Sequence, residues 1–335
     1  MSSEQPLAHT STRGRGHRGA HTEGARGTGR GGRGGERGRG RGSRRGGRGG
    51  RGGYPENPGS NSRNANQPRP THFLALPLGQ HSTLRNRVGR FQSSLLHAPN
   101  AIRGLDPTIV VNPRRLHFTL GVMALQLDDD QVEPRISDDG GSQSRKTVQS
   151  ALALLQSLQP QLRSEGALDA PLELMGAFEA REGARVLWVS PLQTDREGDS
   201  DEVKERRRKL ARVSNLVHKT FKEAGYITDT RPLKMHCTMI NTSYRRGPTA
   251  KRGELFSYDD VLASDALQSI RPKTGPGNTA ILPASKSLSP EARKESDRTI
   301  EISLGTYTVP EIQLCIMGSH GPEDEYVSVG GVSLV

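Results

Sequence analysis

Pro113-Arg-Arg-Leu-His-Phe-Thr-Leu120 and Pro232-Leu-Lys-Met-His-Cys-Thr-Met239 share one frame: proline, any residue, a base, Leu or Met, His, any residue, Thr, then Leu or Met. Their histidines, at 117 and 236, stand 119 residues apart. One frame met twice at that distance reads as two related lobes rather than a solenoid. Strand side chains alternate between faces, so His117 and Thr119 share one face while Leu116, Phe118 and Leu120 share the other. The same holds for His236 and Thr238 against Met235, Cys237 and Met239. Each strand buries an apolar face and presents an imidazole beside a hydroxyl on the reverse. If the lobes face each other, two histidines and two threonines converge on one cleft.

That set suits a phosphodiester. A neutral imidazole takes a proton from an attacking hydroxyl, and an imidazolium returns one to the leaving oxygen; histidine does both near neutral pH. Threonine hydroxyls donate to the non-bridging oxygens, where charge accumulates. No carboxylate cluster accompanies the pair, so the chemistry is expected to run without a metal or cofactor. A single His-x-Thr on a strand is more often an ordinary surface or core feature; two copies in one eight-residue frame favour a working site.

Around these frames, helix and strand signals are mixed without a strict βαβ rhythm, which predicts an α+β fold. His72-Phe-Leu-Ala-Leu-Pro-Leu78 reads as a buried strand, and Leu116 to Leu127 and Met235 to Tyr244 as strands. Leu172 to Phe178 and Arg185 to Pro191 form a hairpin turning at Glu182-Gly183. Thr299 to Leu304 and Glu311 to Met317 are further strands. Helices are expected over Leu84 to Leu96, Lys146 to Leu162 and Asp201 to Ala224, the last stopped by Gly225. The Pro/Ser/Lys stretch at 269–298 reads as an inserted loop.

The net charge of +12 is concentrated in one segment. Between Arg13 and Gly53 lie 13 Arg, 19 Gly and two acids, a net +11 that leaves about +1 for the rest. With little apolar surface and a glycine backbone costly to order, this stretch is expected to be disordered; a Pro/Asn/Ser linker carries it to residue 70, and the folded domain is 71–335. The basic composition thus describes a tail, and a basic nucleic-acid-binding domain is excluded. Arginine stacks on bases, so the tail reads as a contact for single-stranded RNA, against the plainer reading of a solubilising tail. Cys237 and Cys315 make neither a disulfide framework nor a zinc site and read as small buried residues. The start has no apolar leader core and no run is long enough to span a membrane, so a soluble protein of nucleus or cytoplasm is expected.

Other residues carry competing readings. Tyr244 and Arg245, with Arg246, can line the cleft and grip a base or phosphate, or simply end a solvated strand. Trp188 is expected to pack in the core. His72 is expected to cap or lie at the surface, with a place bordering the cleft as the alternative, His218 to face solvent, and Arg206-Arg-Arg-Lys209 to form a solvated helix face.

HFTL at 117–120 and HCTM at 236–239 resemble the two H-x-[ST]-hydrophobic motifs that define the two-histidine (2H) phosphoesterases. The likeness extends to THFLALPL at 71–78, INTSYR at 240–245 and PEIQLCIMGS at 310–319. These segments are similar to the branch holding the central domain of an A-kinase anchoring protein and a subunit of the activating signal cointegrator complex, a 2′-5′ RNA ligase-like domain. The resemblance implies a bilobal fold whose pseudo-two-fold related lobes flank a central cleft. It implies metal-independent chemistry on 2′,5′- or cyclic phosphodiesters of RNA or oligonucleotides. His117 and His236 would be the acid/base pair, and Thr119 and Thr238 would hold the phosphate. A monomeric domain, working in a coregulator-type complex, is the expected setting. Two other functions remain open: a non-catalytic nucleotide- or RNA-binding module, and RNA ligation by the reverse reaction.

Overall fold

The computed structural model describes residues 68–126, 146–196, 198–247, 253–272 and 298–335. The Arg/Gly-rich segment and nearly all of the expected 269–298 insertion lie outside the described residues. Among the described residues, eight strands form one antiparallel sheet: β1 (His72–Pro77), β2 (His117–Met123), β3 (Leu168–Ala180), β4 (Gly183–Ser190), β5 (Cys237–Asn241), β6 (Ile300–Val309), β7 (Glu311–Ile316) and β8 (Ser328–Ser333). Their order is β6-β3-β4-β5-β2-β1-β7-β8, so the two histidine-bearing segments meet at the middle. The helices are α1 (Ser82–Leu96), α2 (Val148–Ser157), α3 (Gln159–Glu165), α4 (Asp201–Glu223) and α5 (Tyr258–Ala263). This mixture of helices with an antiparallel sheet is the α+β class expected from the sequence.

The frame's alternation sorts the sheet's two faces. Leu74, Leu76, Phe118, Leu120, Cys237 and Met239 are buried in one core with Val88 and Phe91 of α1 and Val213, Val217 and Phe221 of α4. On the opposite face Phe73, Ala75 and Cys315 form a small separate cluster with Val122 and Tyr326. His72 shares the face of Leu74 and Leu76 and is 4% exposed, its Nδ1–H donating to Thr71 Oγ1 at 2.9 Å. It therefore neither lies at the surface nor borders the cleft, because strand alternation turns it inward.

Several elements differ from expectation for local reasons. The single helix expected over Lys146 to Leu162 breaks into α2 and α3, since Pro160 lacks the N–H that would continue the ladder. Thr147 and Ser150 cap α2 reciprocally, Thr147 Oγ1 accepting from Ser150 N at 3.1 Å and Ser150 Oγ accepting from Thr147 N at 3.0 Å. Helix α4 ends before Gly225, which holds φ +73°. Within α4, Arg207 is 6% exposed rather than solvated; it binds Glu173 at 2.6 and 2.9 Å and also pairs with Asp199. The second motif strand stops at Asn241, and Thr242–Tyr244 is a 3-10 turn. β8 (SVGGVS) is not legible in the sequence, because two glycines break its apolar alternation and only pairing with β7 completes it. Ile270 is 1% exposed and its carbonyl accepts from Ser303 N at 2.6 Å, so ordered packing continues past Ser269.

A β-bulge falls at the last residue of each histidine frame. Leu74 and Ala75 pair with Gly121 and Thr119, which leaves Leu120 as the extra residue in β2. Leu187 and Trp188 pair with Ile240 and Thr238, which leaves Met239 as the extra residue in β5. A bulge frees a carbonyl that must find another donor when buried. His218 of α4 donates from Nδ1 to Leu120 O at 2.7 Å, while Met239 O accepts from Val111 N at 2.9 Å and from Gln92 Nε2 of α1 at 3.1 Å. His218 thus points into the fold, not to solvent, because a buried carbonyl of β2 requires it. Gly121 permits the close approach here, since a Cβ would stand 2.1 Å from Ile227 Cδ1.

Candidate active site

Strands β2 and β5 meet through one pair, Phe118 opposite Cys237, both fully buried on the core face. Antiparallel register then sets His117 across from Thr238 and Thr119 across from His236, all four on the opposite face. Directly opposed side chains have Cβ atoms about 4.5–5.5 Å apart. The two His-x-Thr frames thus form one crossed quartet, each histidine facing the other strand's threonine. The bulges then switch which residues face outward. Val122 on β2 and Asn241 on β5 join His117, Thr119 and Thr238 in lining a cavity of about 680 Å³. His236 is not among the lining residues, but its charge is one of the causes that lower the pKa of His117.

The base two residues before each histidine has a defined place. His117 Nδ1 donates to the carbonyl of Arg115 and His236 Nδ1 to that of Lys234, each at 2.7 Å. A carbonyl only accepts, so both rings carry their proton on Nδ1 when neutral, and Nε2 is the basic nitrogen. Thr119 Oγ1–H donates to His117 Nε2 at 3.0 Å. The side chains of the two bases sit over aromatic rings: Arg115 lies 3.7 Å from the centroid of Tyr326, and Lys234 lies 4.8 and 4.9 Å from those of Phe178 and Trp188. Phe73 packs on His117 at 4.9 Å and Phe178 on His236 at 5.0 Å between centroids. Burial pushes the His117 imidazole down to about 4; the Arg115 carbonyl opposes this, and the charges of His236 and Arg115 add to it. His117 is therefore neutral at physiological pH.

Other expected residues divide. Tyr244 lines the cavity, 38% exposed, its hydroxyl 3.3 Å from that of Tyr326. Arg245 does not line it; the 3-10 turn points its side chain backward into an ion pair with Asp106 and a 2.6 Å hydrogen bond to Gly104 O. Arg246 lines the cavity instead. Trp188 is 3% exposed, as expected of a packed residue, and lies opposite Thr238 in the register. Cys237 and Cys315 are buried and unpaired, each thiol pushed up to about 12 by burial.

The residues not anticipated come from the segment between β7 and β8. His320, Asp324 and Tyr326 all line the cavity. Arg115, 9% exposed, fastens this segment by donating from Nη1 to Ser319 O at 2.8 Å and Asp324 O at 3.1 Å. The repeated base of the frame was the one sequence signal for this anchoring. Among the described residues no group of three or more His, Cys, Asp or Glu is placed to hold a metal ion, and no helix is long and apolar enough to cross a membrane.

A sequence profile described as the AKAP7 2′5′ RNA ligase-like domain matches residues 70–334. The chain belongs to that family. This AKAP7 2′5′ RNA ligase-like domain is a member of the two-histidine phosphoesterase superfamily. It is 26% identical over 191 residues to activating signal cointegrator 1 complex subunit 1 of Mus musculus, covering 56% of this chain and 47% of that protein. The chain thus matches about half the length of this curated relative. Among solved structures, Escherichia coli LigT complexed with 3′-AMP matches at 13% identity and a TM-score of 0.39, covering 79% of this chain and 98% of that one. TT0787 of Thermus thermophilus matches at 14% identity and 0.38, covering 79% and 97%.

Proposed function

We propose that this domain is a phosphodiesterase acting on 2′,5′- or cyclic phosphodiester linkages of RNA or oligonucleotides. The observation that carries this reading is the crossed quartet, in which β2–β5 register opposes each histidine to the other frame's threonine. On a 2′,5′ linkage, neutral His117 takes the proton of the attacking hydroxyl through Nε2. That oxygen bonds to phosphorus as the bond to the leaving oxygen breaks, and protonated His236 gives its Nε2 proton to the leaving oxygen. Thr119 and Thr238 donate to the non-bridging oxygens, Thr119 releasing His117 Nε2 as substrate enters. The assignment of His117 as base follows from its depressed pKa. Each proton transfer contributes on the order of 10²–10⁴-fold in rate. These side chains supply every proton the reaction moves, so no metal is called for.

The paired bulges, the paired Nδ1–carbonyl bonds and the paired helix side chains support two lobes related by a pseudo-two-fold axis between β2 and β5. The Arg/Gly-rich segment is proposed to contact RNA, with a weakly specific, salt-dependent affinity. A monomeric domain of nucleus or cytoplasm is proposed, serving in a protein complex as the mouse relative's name suggests for that protein. The same name favours a second reading, a nucleotide- or RNA-binding module without turnover. Hydrolysis of 2′,5′-linked and 2′,3′-cyclic substrates in EDTA, by wild type, His117→Ala and His236→Ala, separates the two. Turnover lost in both variants supports catalysis; tight nucleotide binding without turnover in wild type supports the module. Full activity in either variant refutes the acid/base assignment.

A further inference from the structure

A second histidine lines the cavity beside His117, and the proposed reaction does not use it. His320 lies between β7 and β8, its side chain 55% exposed, and lines the same cavity as His117, Thr119 and Thr238. Its ring is not free to turn. Nδ1 hydrogen-bonds Asp324 Oδ1, and Asn112 Nδ2 donates to Asp324 Oδ2 at 2.8 Å. Arg115 Nη1 also stands 3.2 Å from His320 Nδ1, but both its hydrogens are taken by the carbonyls of Ser319 and Asp324. The proton between His320 and Asp324 is therefore on Nδ1, donated to the carboxylate, since two lone pairs cannot approach so closely. This leaves Nε2 as the nitrogen available to a ligand. Asp324 holds φ +66°, the one non-glycine positive φ among the described residues, a left-handed conformation that Asp tolerates.

The charges around the cavity indicate the ligand. Asp324 is paired with Arg115 at 3.5 Å and hydrogen-bonded by His320 and Asn112, so its carboxylate is already engaged. Arg246, exposed on the wall supplied by the turn after β5, adds a cation with five N–H donors. The reacting phosphate is served by the quartet, and a cavity of about 680 Å³ exceeds what one phosphate needs. We propose that His320, fixed by Asp324, and Arg246 form a second anion subsite, which binds a phosphate of the substrate other than the one attacked. His320 hydrogen-bonds that phosphate through Nε2, and Arg246 supplies charge-assisted bonds. The proposal rests on the phosphodiesterase reading of the same cavity, and deepens it to substrates bearing a further terminal phosphate.

The test is equilibrium calorimetry on the full chain with one 2′,5′-linked dinucleotide analogue, its leaving oxygen replaced by a methylene so that it binds uncleaved, prepared with a 5′-phosphate and with a 5′-hydroxyl. Wild type is expected to bind the phosphorylated form about tenfold or more tightly, the effect of one hydrogen bond to a charged group. His320→Gln and Arg246→Ala should each remove most of that preference and leave the Kd of the hydroxyl form unchanged. Equal affinities for the two forms in wild type overturn the proposal. So does equal weakening of both forms in His320→Gln, which would mark a disturbed loop rather than a missing phosphate ligand. Binding of neither form overturns it too. The readout is binding, so a phosphate preference without turnover would sustain the subsite while sinking the catalytic reading.

Discussion

Protonation of His117 should cost stability in a defined pH window. The ordinary histidine value is 6.5, and burial is the largest cause lowering it to about 4 in the fold. Between those values the unfolded chain binds more protons than the native one, so stability rises with pH. The contribution is fully present above about 6.5 and is lost as pH falls through about 4. At about 1.4 kcal/mol per pH unit the full difference is roughly 3 kcal/mol, of which roughly 2.4 kcal/mol disappears between pH 7 and pH 4.5. Urea unfolding of wild type and His117→Gln at both pH values measures it, since the variant cancels every other titrating group. The difference between the two proteins should shift by about 2 kcal/mol. Long-range ¹H–¹⁵N spectra should place the wild-type ring near 4 with its proton on Nδ1. His236→Asn should raise that value only partly, because burial remains. The acid limb of kcat/KM should likewise lie near 4. A His117 titration near 6.5, or no pH-dependent difference between the proteins, would refute the reasoning and with it the assignment of His117 as base.

Four further outcomes are expected. Thr119→Val and Thr238→Val should each lower kcat on a 2′,5′-linked dinucleotide by roughly 10²-fold, with little change in KM; the loss of one donor to developing charge has that size. Arg207→Ala should lower unfolding stability by about 3–5 kcal/mol in urea, because Glu173 and Asp199 lose their buried partner. Gly121→Ala should cost about 1–3 kcal/mol, and Ile227→Val in the same chain should recover part of it by removing the Cδ1 atom in the way. Deleting residues 1–53 should weaken binding of single-stranded RNA and flatten its salt dependence, while small dinucleotides are cleaved as before; equal RNA affinity would count against the tail.

Much of the fold was legible. The alternating frames, the apolar run at 72–78, the hairpin at Glu182-Gly183 and the stripe of α4 all rest on side-chain periodicity, which is written in adjacent residues. So was the polar side of the site, because His117 shares a face with Thr119, and His236 with Thr238, in any strand. Misreadings arose where a distant partner overrode a local pattern. His218 and Arg207 lie in a helix rich in charge, yet one serves a buried carbonyl and the other two carboxylates. Arg245 sits beside the second motif, yet Asp106 draws it away.

The sequence by itself determined which residues share a face, that two equivalent frames exist, and that nearly all net charge lies between Arg13 and Gly53. Tertiary structure alone decided that β2 and β5 are neighbours in the register that crosses His with Thr. It decided too that each strand bulges after its threonine, and that His320, Asp324 and Tyr326 come to the site from some 200 residues after His117. The reason is physical. The strand period fixes side-chain direction within a segment, whereas strand partner and register are set by packing between segments far apart in the chain.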